Sequence, residues 1–133
     1  MKKIELLLIL MFLGTLSVNA QRPAASQKTS AAYSSKQLST LADDDIRWNN
    51  FIADNMCVIS DMPAEKTASL ATIDLGSQSQ STSETFNPLL LNIRPLENSH
   101  QYFKIAGTSN VLFVYSKERL DVMYQRTLKN NKK

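Results

Sequence analysis

Leu6 to Leu16 form a nearly unbroken apolar run, and its place near the N-terminus decides how much of the chain is left to fold. Lys2 and Lys3 precede it, and Val18-Asn19-Ala20 follow, with small residues three and one positions before a cleavage point at Gln21. That order is the secretory pattern. Lysines before the run hold the N-terminus on the cytoplasmic side. The run engages a membrane but falls short of the roughly 20 apolar residues that a stable span requires. No positive stop-transfer flank follows, and no cysteine follows the cleavage point to take a lipid. Residues 1–20 are therefore expected to be a signal peptide. The remainder is expected to be secreted or periplasmic, with no stable membrane insertion after cleavage, and the short double-lysine start has a bacterial look.

Cleavage leaves 113 of the 133 residues, one domain at most. Loss of Lys2, Lys3 and Glu5 takes the net charge from +3 to +2, too small to argue a polyanion partner. The charges are unevenly spread. Residues 41–76 hold seven acids against Arg47 and Lys66, and residues 117–133 hold six bases against Glu118 and Asp121. The two regions are complementary, which suits faces that lie close together or are simply solvated; a basic tail for an acidic surface is the other reading. Cys57 is the only cysteine, so no intrachain disulfide can form and the core alone must hold the fold. Its neighbours in Asn55-Met56-Cys57-Val58-Ile59 suggest a small buried hydrophobe, with pairing to a second chain as the alternative.

Residues 21–38 are rich in Ser and Ala with little large apolar content beyond Tyr33, and read as a flexible lead. From 39 to 129 the pattern is that of one globular domain, with 130–133 as a frayed basic tail. Leu41, Trp48, Phe51, Ile52 and Met56 carry the spacing of one helical face. A helix over 40–56 follows, with Ser39 or Thr40 as cap and Asp43-Asp44-Asp45 at the positive end of the dipole. Residues 57–60 suit a short extended piece, which Pro63 ends. Residues 64–75 fit either a helical stripe or an alternating strand, and Thr72 and Ile73 favour a strand at 69–75. Residues 77–85 are a polar, low-complexity loop, and Leu89–Ile93 is a buried strand or an apolar turn. A hairpin pairs 102–106 with 111–116 around Gly107-Thr108-Ser109-Asn110. Residues 117–129 allow a third strand, with Leu120, Val122 and Tyr124 alternating inward, but their helix formers favour a helix capped by Ser116. The fold class is α+β: a small single domain with a three- or four-stranded, mostly antiparallel sheet packed with one or two helices.

Motifs of known chemistry are scarce. The chain has no phosphate-cradling glycine loop, nucleophile elbow, zinc helix or calcium loop. One histidine and one cysteine cannot supply the ligand set usual for zinc. The triple aspartate points three ways on a helix and serves as a cap. No cofactor or metal is therefore expected. Cys57 with His100 is the one nucleophilic pair the composition allows, and it requires an imidazole beside an exposed thiolate. Nucleic-acid binding calls for a basic surface interleaved with aromatics, of which only a faint version exists.

Two functional readings remain. In the first, the chain is an exported, noncatalytic interaction or accessory module that binds a protein or envelope surface, which predicts a contiguous exposed apolar or aromatic patch. In the second, it is a small hydrolase or thiol enzyme using Cys57 and His100 in one pocket.

Overall fold

The computed structural model describes residues 22–132; the expected signal peptide, residues 1–20, lies outside them. The helices are Gln27–Ala32 (α1), Ser35–Thr40 (α2), Asp43–Asn55 (α3), Ala64–Thr67 (α4) and Lys117–Asn130 (α5). The strands are Cys57–Asp61 (β1), Ala71–Ile73 (β2), Gln101–Ile105 (β3) and Asn110–Val114 (β4), with 3₁₀ turns at Gly76–Gln78 and Pro88–Leu90. This is the expected small α+β domain.

The hairpin β3–β4 is the centre of the sheet. Its turn depends on Gly107, whose φ of 74° sits at the third position of a turn closed by Thr108 N–H on the Ile105 carbonyl, 3.2 Å. A side chain there would meet the steric penalty of left-handed backbone. β1 adds antiparallel to β4, and β2 adds parallel to β3, giving the order β1-β4-β3-β2. The observed strands start one residue earlier than the alternation alone places them.

Successive strand residues point to opposite faces. Cys57, Ile59, Ile105, Leu112 and Val114 point inward, where α3 supplies Phe51 and α5 supplies Leu120. Met56, Leu75 and Phe86 complete this core. Trp48, Phe51 and Tyr124 stack where α3 meets α5, with ring centroids 5.1–5.7 Å apart. Each fully buried large side chain contributes about 1.5–3 kcal/mol relative to exposure.

Three local assignments change. The first concerns residues 22–38, expected to be a flexible lead; they form α1, which packs on α3, and most of α2. The ordering contacts are polar and distant in sequence. Asn50 accepts from Ser26 N–H at 2.8 Å and donates to the Ala24 carbonyl at 2.9 Å. Thr29 is fully buried, and Asn87 Nδ2 donates to the Lys28 carbonyl at 2.8 Å. Ser34 and Gln37 close a reciprocal capping box on α2.

The second change is at the start of α3, which begins at Asp43 with no side-chain cap, because Ser39 and Thr40 are spent in the last turn of α2. The three aspartates do occupy the first turn. Third, residues 64–75 hold both alternatives in sequence, a one-turn helix and then a three-residue strand. The segment 117–129 is helical, and Ser116 Oγ accepts from Arg119 N–H at 3.2 Å. That helix continues to Asn130, so the tail expected to fray begins one residue later, and Lys133 lies outside the described residues.

Asn87 ties the N-terminal helices to the core loop. It is buried, and its Oδ1 accepts from Leu89 N–H at 3.1 Å while its Nδ2 holds Lys28. Asn87→Ala leaves both backbone groups without their partner and should destabilise the domain by about 2 kcal/mol. Urea unfolding would read this directly; a loss under about 0.5 kcal/mol would show that α1 is not held through this residue.

Candidate functional site

Helices α3 and α5 pack on one face of the sheet. On the other, Val111 is fully buried, so that end of the face is closed. The opposite end is open. Phe113 on β4 stands opposite Val58 on β1 and Tyr102 on β3, forming one apolar row across three strands. Tyr115 and His100 extend the row beyond the strand ends. Tyr102 and Phe113 have ring centroids 4.9 Å apart, and Phe113 and Tyr115 4.7 Å. His100 lies 5.1 Å from Phe113 and 5.8 Å from Tyr115. Tyr102, on a central strand, is 46% exposed and Val58, on the neighbouring edge strand, 37%.

His100 is fixed rather than loose. The Ser116 N–H, at the cap of α5, donates to His100 Nδ1 at 2.9 Å. The ring proton therefore sits on Nε2, turned away from that bond. Leu96, 51% exposed, flanks the same corner, since its carbonyl accepts from Lys117 N–H at 2.8 Å. Lys117 itself bonds to Asp121 at 3.0 Å, and that bond with the Asp121 and Glu97 charges raises its pKa.

The structure separates the sequence-derived pair. Cys57 stands opposite Val114 in the core, whereas His100 stacks on Phe113 on the outer face, so the sheet lies between thiol and imidazole. Burial pushes the Cys57 thiol up to about 12, with the Lys28 charge pulling partly the other way. This is the buried small hydrophobe the local sequence suggests, and its thiol is poorly placed for nucleophilic work. Among the described residues, no three His, Cys, Asp or Glu side chains come together in a group able to hold a metal ion. No helix among them is long and apolar enough to cross a membrane.

Open grooves lie elsewhere, and two of them bear on the charge and strand-edge arrangement. The larger, about 850 Å³, runs beside Trp48, Tyr124 and Leu128. Asp44 and Asp45 at the start of α3 and Lys132 beyond the end of α5 line it together, so the acidic and basic regions do lie close in space. The other, about 540 Å³, is polar and lies between β1 and residues 80–84. There Ser83 Oγ accepts from Ile59 N–H at 2.8 Å and donates to the Ile59 carbonyl at 3.1 Å, closing the middle of an edge strand.

Val58, Tyr102, Phe113 and Tyr115 read in the sequence only as strand and turn residues. One signal pointed at them: Val111–Tyr115 is continuously apolar rather than alternating, which places apolar side chains on both faces of β4. Comparison with protein-family models, with curated proteins and with solved structures finds no match for this chain.

Proposed function

We propose that the chain is an exported, noncatalytic interaction module that docks a protein of the cell envelope through the open end of its outer sheet face. The observation that carries this reading is the contiguous row of exposed Val58, Tyr102 and His100 with half-buried Phe113 and Tyr115, at an end of the outer face that the described residues leave open. Exposed aromatic clusters of this kind mark contact sites, because desolvating them against a partner recovers the burial that folding leaves undone. Tyrosine suits the role, with large contact area and few rotatable bonds. The apolar leader supports export, and the distance between thiol and imidazole faces of the sheet favours binding over thiol catalysis.

A retention experiment tests it. The purified protein, immobilised, is exposed to native envelope extract beside a variant carrying Tyr102→Ser and Val58→Ser. A second control carries Val122→Ser, an exposed apolar residue on α5, 42% exposed. Retained protein should disappear with the sheet-face variant and persist with the α5 variant. Equal retention by all three would remove the sheet face from the function.

A further inference from the structure

The single histidine of the chain holds the start of a helix through an acceptor that a proton abolishes. We propose that His100 is a proton-operated latch: neutral, it pins residues 96–100 to the start of α5, and protonated, it lets them go.

The latch is built on consecutive backbone groups. The first N–H groups of a helix have no partner inside it. Here the segment leading into β3 supplies three acceptors. Ser116 N–H donates to His100 Nδ1 at 2.9 Å, Lys117 N–H to the Leu96 carbonyl at 2.8 Å and Glu118 N–H to the Glu97 carbonyl at 3.1 Å. The next group, Arg119 N–H, goes to Ser116 Oγ at 3.2 Å. Of these acceptors the imidazole alone becomes a donor when it gains a proton.

The chemistry sets the direction of the switch. Nε2 already carries the ring proton, so a second one has only Nδ1 to go to. Nδ1–H then faces Ser116 N–H, donor against donor, at the positive end of the α5 dipole. Ser116 is 4% exposed, so its N–H is poorly placed to find water in place of the ring. The imidazole itself is exposed and open to proton uptake. It also packs against Phe113 and Tyr115, so a ring that turns from Ser116 shifts its place in the open row.

The surroundings leave the Ser116 bond in control. The charged side chains of this corner are Arg94 and Glu97 before β3 and Lys117, Glu118, Arg119 and Asp121 at the start of α5, and their signs balance. Gln101 and Tyr102 on β3 and Phe113 and Tyr115 on the β4 side add no charge. An imidazole ordinarily changes charge between about pH 5 and 8.

The test compares amide exchange, residue by residue by NMR, in the purified wild type, His100→Asn and His100→Phe at about pH 7.5 and about pH 5.5. Asn Oδ1 replaces Nδ1 as an acceptor and takes up no proton; Phe keeps a ring without an acceptor. At the higher pH, Ser116 N–H should exchange alike in the wild type and His100→Asn, and about fivefold to tenfold faster in His100→Phe. At the lower pH the wild type should join His100→Phe, while His100→Asn stays slow. Comparing proteins at equal pH removes the intrinsic pH dependence of exchange. Position 100 is exposed, and unchanged spectra of α3 would establish that both variants fold. Long-range ¹⁵N spectra of the ring should show Nδ1 bare at the higher pH and protonated at the lower. A wild type that still matches His100→Asn at the lower pH overturns the inference, as does an Nδ1 that stays bare there. Slow exchange in His100→Phe at both values also overturns it, because Ser116 N–H would then need no imidazole. No readout involves a partner, so the docking role proposed above stands or falls separately.

Discussion

A thiol reagent added at pH 8 should modify Cys57 at least about a thousandfold more slowly in the folded protein than in urea. The thiolate is the reacting species, and raising the pKa from 9.0 to about 12 lowers its population at that pH by roughly three orders of magnitude. Exclusion of the reagent from the core adds to this. The same burial makes stability depend on pH in a defined sense. The folded thiol holds its proton up to about 12, while the unfolded chain releases it near 9.0, so between those values the folded state binds more protons than the unfolded one. Stability from this group is therefore complete below pH 9 and declines as pH rises toward 12, with a slope of up to about 1.4 kcal/mol per unit. Urea midpoints of the wild type and Cys57→Ala, compared across pH 8 to 11, isolate this contribution from that of the tyrosines and lysines, which both proteins share. Fast labelling of the folded protein, or parallel midpoints over that range, would place the thiol at the surface and reopen the enzyme reading.

Phe86→Ala should cost about 3–5 kcal/mol, a large share of the stability of a domain this size. Phe86 is 2% exposed and belongs to the same core as Leu112, Val114 and Leu120, although it emerges from the polar stretch Ser77–Thr85. Its removal leaves a cavity that the 3₁₀ turn at Pro88 and the Asn87 bonds to Gln78 prevent from collapsing. Asn87 N–H donates to Gln78 Oε1 at 2.7 Å, and Gln78 Nε2 donates to the Asn87 carbonyl at 3.1 Å. Loss of about 1 kcal/mol or less in urea unfolding would mean that the loop relaxes freely and does not anchor the core.

What the amino-acid order reveals, and what it hides, follows the range of the interactions involved. The hairpin was legible because alternation, β-branched and aromatic residues and a glycine turn all lie within fifteen residues of one another. The helices 43–55 and 117–130 were legible from apolar spacing, an acidic first turn and the Ser116 cap. The helices at 27–32 and 35–40 were not, because Ser and Ala carry no apolar stripe, and the bonds that fix the first of them come from Asn50 and Asn87. Such polar contacts across long separations leave no local pattern. The candidate site was half legible. The apolar run in β4 showed that both faces of the strand carry large side chains, but which face the helices would cover is a property of the assembled fold. His100 sits in a polar stretch and gave no hint that the start of α5 would hold it against two aromatic rings.

The order of the strands also bears on when the domain can form. Both edge strands come early in the chain, and both pair only with the hairpin at residues 101–114. A polypeptide made from its N-terminus must carry Cys57–Asp61 and Ala71–Ile73 without companions until residues 101–114 appear. Closure of the sheet is thereby postponed until the hairpin has been made, and neither edge strand can nucleate the fold by itself.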